Sequence, residues 1–168
     1  MQNKKQHSEQ FKRLYQRHSD KVYRICVGYL KDQNEVKDLF QQVMLSIWKN
    51  LDSFREEARI TTWIYRIAVN TAITFTKSRK RFDQRFQLES DFTDMEYEGV
   101  DELSADPLPQ LQELQDCIHK LKKQNRLIIT LYLEGLTYSE IGEVVGISEN
   151  YVGVKISRIK KELEERMR

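Results

Sequence analysis

Residues 87–110 hold eight acidic residues, no lysine or arginine, and both prolines of the chain, Pro107 and Pro109. Such a segment repels itself and shows no sustained helical period, so one continuous core cannot be threaded through it. The chain therefore reads as two bodies, residues 1–86 and residues 111–168, joined by an acidic linker over 87–110. The flanks differ in charge. Residues 1–86 carry 18 Lys/Arg against 9 Asp/Glu, and residues 111–168 carry 10 against 9. The strip itself admits two uses: a solvated spacer, or an electrostatic mimic of nucleic acid that shields a basic surface.

Both flanks repeat apolar residues at the three-and-four spacing of one helix face. Phe11, Leu14, Tyr15, His18, Val22, Ile25, Cys26 and Tyr29 form one stripe, and Val36, Leu39, Phe40, Val43, Met44, Ile47, Trp48 and Leu51 a second. After a polar loop from Phe54 to Thr61, Ile64, Ile67, Ala68, Thr71, Ala72 and Phe75 form a third, running into the basic end Lys77–Arg81. In the second flank the stripes are Leu111–Leu121, Leu127–Tyr132, Ile141–Val145 and Val152–Leu163. The expected fold is all-α: an N-terminal three- or four-helix bundle and a C-terminal four-helix domain. Six glycines and two prolines in 168 residues argue against a loop-rich β-sandwich and favour helices.

No apolar run approaches the ~18 residues of a membrane span, and no apolar stretch follows the charged N-terminus as in a signal peptide. Cys26 and Cys117 lack framework spacing, which reads as a cytoplasmic protein with reduced thiols. Cys117 and His119 offer two possible metal ligands without a second pair, and no catalytic cluster is evident. The chain reads as a non-enzyme without a cofactor or metal.

The strongest local signal is Thr137 to Lys161. Thr137 and Glu140 have capping-box spacing, Gly146 suits a left-handed turn and Ser148 can cap the helix that follows. Ile141 and Val145 then meet Val152 and Ile156 across a short turn, the pattern of a helix-turn-helix. That crossing leaves Ser148, Glu149, Asn150, Tyr151, Val154, Lys155, Ser157 and Arg158 for duplex DNA. The early residues suit base edges, while Lys155, Arg158, Lys160 and Lys161 suit phosphates. A second signal is the interleaving of Arg55, Arg59, Arg66, Lys77, Arg79 and Lys80 with Phe54, Trp63, Tyr65 and Phe75. Such groups neutralise phosphates and stack unpaired bases, although Trp63 and Phe75 suit a core equally well.

Together these stretches resemble the bacterial sigma factors of the small extracytoplasmic-function group. Asp38-Leu39-Phe40-Gln41-Gln42-Val43 followed by Ile47-Trp48 is similar to the family's D-L-x-Q motif. Thr62-Trp63-Ile64-Tyr65-Arg66-Ile67-Ala68-Val69-Asn70 is similar to T-W-L-Y-R-I-A-x-N. Glu134-Gly135-Leu136-Thr137-Tyr138-Ser139-Glu140-Ile141-Gly142 resembles the entry to the −35-reading helix-turn-helix. The resemblance implies a promoter-specificity subunit with core RNA polymerase and promoter DNA as partners, and an anti-sigma factor besides. It implies core-polymerase binding through Asp38, Gln41 and Gln42. It also implies −10 capture and melting by Arg55, Arg59, Thr61, Thr62, Trp63, Arg66, Asn70, Arg79 and Lys80. The linker would then lie in the path of exiting RNA. The two bodies are expected to be held apart by that tether. The recognition helix departs from the family's frequent T-V-K-S-R, reading Tyr151-Val152-Gly153-Val154-Lys155. Gly153 stands where a phosphate-binding lysine is common, so the −35 grip is expected to be shifted or weaker. The rival readings are a dimeric helix-turn-helix regulator that works without polymerase, and a helical adaptor that never touches DNA. The Trp63–Asn70 stretch opposes the first and the basic and aromatic residues at 54–86 oppose the second.

Overall fold

The computed structural model describes residues 2–55, 59–87 and 108–168, with side chains described outside 79–87. Nearly all of the acidic linker, the tip of the 55–61 loop and the side chains of Arg79 and Lys80 lie outside the described residues. Those residues form seven α-helices, one 3-10 turn at Leu51–Ser53, and no strand. The N-terminal half is a three-helix bundle of α1 (Gln2–Tyr29), α2 (Gln33–Asn50) and α3 (Ile60–Gln87). The C-terminal half holds α4 (Pro109–His119), α5 (Lys123–Leu133), α6 (Tyr138–Val145) and α7 (Glu149–Met167).

The predicted stripes become the core. Val22, Val36, Leu39, Val43, Ile47 and Ile64 are fully enclosed in one half, and Ile128, Leu131, Ile141, Val152, Ile156 and Ile159 in the other. Helix ends fall where side chains can satisfy orphan backbone groups. Asp32 accepts the Glu35 N–H at the start of α2, and Thr137 and Glu140 complete a reciprocal capping box on α6. Ser148 accepts the Tyr151 N–H to open α7. Gly146 closes α6 at φ +81°, a conformation other L-residues rarely adopt.

Two helices are longer than the apolar pattern predicts. α1 extends back to Gln2, because His7 anchors its polar first turns. The ring Nε2 donates to the Trp48 carbonyl at 3.1 Å, Nδ1 lies 2.8 Å from Asp52, and the ring meets Trp48 edge-on at 4.3 Å. α3 begins at Ile60, inside the predicted loop, since the Trp63 N–H already bonds the Arg59 carbonyl and Ile60 packs on the core.

The larger difference concerns the two halves. They are not held apart: α1 packs against α4 and α5, and α3 packs against α6. The buried side chains of both halves form one continuous cluster. Five consecutive α5 residues, Leu127 to Leu131, are buried. One helix face cannot supply five in a row, so α5 is covered from two sides. Its own half covers one side and α1 the other.

Candidate nucleic-acid interface

Three surfaces carry the residues singled out by sequence. The first is on α2. Asp38, Gln41 and Gln42 are exposed and lie opposite the buried Val36–Leu39–Val43–Ile47 stripe. At the spacing of the same face stands Leu45, 52% exposed. It stands on the polar face rather than in the buried stripe. Sequence reasoning passed over it, though a leucine out of phase with the buried stripe was its signal.

The second surface is α3. From Ile60 to Phe82 there is no acidic residue. Arg66, Asn70, Thr74 and Lys77 are exposed and recur at spacings of three and four, so they form one stripe along the helix. Thr74 was not singled out by sequence. Arg55 and Arg59 are exposed at the head of the helix, and Thr61 is half-buried. Trp63 is half-buried and packs on Phe54 with ring centroids 5.1 Å apart, so one pair serves both core and surface. Thr62 is 5% exposed, and Tyr65 and Phe75 are buried. These three therefore contribute packing rather than an open contact. The Tyr65 hydroxyl is enclosed without a hydrogen-bond partner among the described residues, and burial first, then the nearby Glu134 carboxylate, pushes its pKa up to about 12.

The third surface is the helix-turn-helix. α6 and α7 pack through Ile141, Val144, Val152 and Ile156, which are buried, while Val145 is half-buried. Ser148, Glu149, Asn150, Tyr151, Val154, Ser157 and Arg158 are exposed along the leading part of α7. Ser148 is occupied as the helix cap. Lys155 is half-buried: its ammonium donates to Gln124 Oε1 at 3.0 Å and Asn125 Oδ1 at 3.4 Å, beside the Tyr151 ring. Lys160 donates to the Tyr132 hydroxyl at 2.8 Å, a bond that raises its pKa. Two of the four predicted phosphate cations thus have partners within the domain, while Arg158 and Lys161 are exposed. Gly153 faces the Tyr138 ring, 3.5 Å from where a Cβ would stand.

The metal reading of Cys117 and His119 is not supported, because His119 Nε2 donates to the Val27 carbonyl at 2.8 Å. Among the described residues no three His, Cys, Asp or Glu side chains gather as a metal site, and no helix is long and apolar enough to cross a membrane.

The family model for Sigma-70 region 2 matches residues 14–82, and that for Sigma-70, region 4 matches residues 111–163. The ECF RNA polymerase sigma factor SigW of Bacillus subtilis is 28% identical over 180 residues, covering 99% of this chain and 94% of its own. The ECF RNA polymerase sigma-E factor of Haemophilus influenzae is 28% identical over 169 residues, covering 94% and 87%. In fold, the chain resembles the sigma factor RpoE of Bartonella quintana, solved in complex with the anti-sigma factor NepR. The TM-score is 0.76 over 95% of this chain and 97% of that one, at 21% identity. The two matched regions occur in order, leave the acidic strip between them, and belong to one family of non-enzymatic initiation factors. With relatives of the same group alike along nearly their whole length, the chain belongs to the sigma-70 family, within its extracytoplasmic-function group, and is a promoter-specificity subunit of RNA polymerase.

Proposed function

We propose that the subunit divides its work among these surfaces. Residues 1–86 hold core polymerase and the −10 element, residues 87–110 form the linker, and residues 111–168 read the −35 element. Asp38, Gln41 and Gln42, with Leu45 one turn further along the same face, dock on core polymerase. Arg55, Arg59, Arg66, Asn70 and Trp63 hold the unpaired −10 strand, with Arg79 and Lys80 following it along the same helix. The α7 residues from Glu149 to Arg158 enter the major groove of duplex −35 DNA. The observation that carries this reading is the acid-free exposed stripe on α3, which gives a polyanion one uninterrupted track.

Melting in this scheme is differential binding. Unpairing bases costs a few kcal/mol, and phosphate contacts and base stacking on the opened strand offset it, with no chemical step by the chain itself. The C-terminal half, nearly neutral in charge, supplies modest affinity, and tethering on polymerase supplies the rest as effective concentration. The subunit acts in the cytoplasm. An anti-sigma partner, as in the Bartonella quintana complex, restrains it by covering these faces.

The test is reconstitution. Purified chain added to core RNA polymerase directs transcription from discrete genomic start sites. A chain that associates with polymerase and selects no start sites defeats the proposal. Arg158→Ala removes an exposed cation at the −35 surface. It lowers transcription about tenfold at −35-dependent promoters, consistent with one lost contact of ~1–3 kcal/mol. Equal loss on a template lacking the −35 element would place its action elsewhere.

A further inference from the structure

We propose that His7 is a positioning residue for −10 strand capture: through Trp48 and Asp52 it braces the root of the loop whose Phe54–Trp63 pair meets the opened strand. The inference rests on the reading of that loop given above; the brace itself rests on geometry.

The first turns of α1 raise the question. From Gln2 to Arg13 every residue is exposed except His7 and Phe11, and none is buried in the core. The match to region 2 starts just beyond, at residue 14. A polar helix of this length is marginal in water on its own, so whatever holds it has a specific address. Both inward rings go to one target. His7 and Phe11 meet Trp48 edge-on, with centroids 4.3 and 5.1 Å away. His7 then adds direction to the contact, with Nε2 3.1 Å from the Trp48 carbonyl and Nδ1 2.8 Å from Asp52 Oδ1. Both partners are pure acceptors, so a ring carrying a proton on each nitrogen donates to both.

Those two acceptors mark the place where α2 gives way to the capture loop. The Trp48 carbonyl is among the last four of α2, where intrahelical donors run out. Asp52 lies in the 3-10 turn Leu51–Ser53 that follows. That turn is wound by its own bonds. The Asn50 amide donates to the Ser46 carbonyl and the Ser53 hydroxyl to the Asn50 carbonyl, both at 2.7 Å, and the Phe54 N–H donates to the Leu51 carbonyl at 3.2 Å. Displacement of Asp52 therefore carries to Phe54, two residues on, and Phe54 packs on Trp63.

Exposure separates this brace from an ordinary core contact. The His7 side chain is 15% exposed, but that of Asp52 is 83% exposed. A carboxylate so open to water contributes little to stability. It does fix a direction, and a loop that must meet a base needs its supporting groups held to within about 0.5 Å. The polar start of α1 thus serves the loop more than the core.

The experiment uses the full chain carrying 5-fluorotryptophan at its two tryptophans, Trp48 and Trp63, with the signals assigned by Trp63→Phe. His7→Ala shifts the Trp48 signal by direct contact. It also shifts the Trp63 signal, which only a relay through Asp52 and Phe54 explains. Affinity for single-stranded −10 DNA falls about tenfold, as for one lost charge-assisted hydrogen bond. Asp52→Ala, a change at an exposed side chain, does the same, and the double variant is no worse than either single one. His7→Asn puts an amide N–H near the place of Nδ1 and keeps affinity within about twofold of wild type. Association with core polymerase and helical circular dichroism stay at the wild-type level throughout. An unmoved Trp63 signal, or unchanged strand affinity in both alanine variants, overturns the inference. So does His7→Asn behaving as alanine, and so does an equal loss of polymerase association, which would make the brace a prop for the whole bundle. If Arg66→Glu with Lys77→Glu left strand affinity unchanged while His7→Ala still moved the Trp63 signal, the strand-capture reading would fail and the brace would stand.

Discussion

Asp38→Arg abolishes association with core RNA polymerase while the free protein stays folded. Asp38 is exposed on α2, opposite the buried stripe, and among the described residues no hydrogen bond or ion pair depends on it. Arginine is a good helix former, so the cost to stability falls within about ±0.5 kcal/mol. At a docking surface the same change replaces an acceptor by a bulky cation, and losses of about 2–5 kcal/mol follow, roughly thirty- to several-thousand-fold in affinity. Leu45→Glu gives the same phenotype, because in the proposed docking surface the exposed leucine is the apolar group beside Gln41 and Gln42. Co-elution of either variant with core polymerase on gel filtration, at wild-type stoichiometry, would move the docking surface off this face of α2. Loss of helical circular dichroism would show that the face is structural.

The elements of this fold were legible because each half obeys local rules that agree with one another. The Val36–Leu39–Val43–Ile47 period, the Thr137–Glu140 box and the Gly146 turn each point to one conformation. Their combination set out the helix-turn-helix residue by residue, and the exposed face of α7 followed from it. The association of the halves was hidden for a physical reason. Ile129 and Thr130 interrupt no pattern; they extend a buried run, and a helix covered on two sides reads the same as one covered generously on one side. Gly28 reads as a weak helix position until Thr130, for which it makes room, is in place. Thr62 and Tyr65 shared a motif with Arg66 and Asn70, and a motif does not say which of its members face inward. Leu45 and Thr74 fell outside the motifs altogether, and only exposure on a shared face groups them with their neighbours. Lys155 read as a phosphate contact, and its engagement with Gln124 and Asn125 depends on how α5 meets α7.

Arg66→Glu combined with Lys77→Glu eliminates open-complex formation on duplex promoters and leaves assembly with core polymerase intact. Both side chains are exposed on α3, one face of a helix that carries no acid between Ile60 and Phe82. Two reversals turn that track from attractive to repulsive for a phosphate chain. Each lost phosphate contact removes about 0.7 from the slope of log affinity against log salt for a single strand, so the pair lowers the slope by about 1.4. Because the lost interactions are those that offset unpairing, a template already mismatched across the −10 element recovers part of the transcription. Permanganate footprinting of unpaired thymines reads opening directly, and a salt series on single-stranded −10 DNA reads the slope. A variant that opens duplex promoters normally would show that strand capture belongs to other residues. Equal loss on duplex and pre-opened templates, with an unchanged slope, would mean that this stripe acts after melting, in a step where the strand's phosphates are not held by α3.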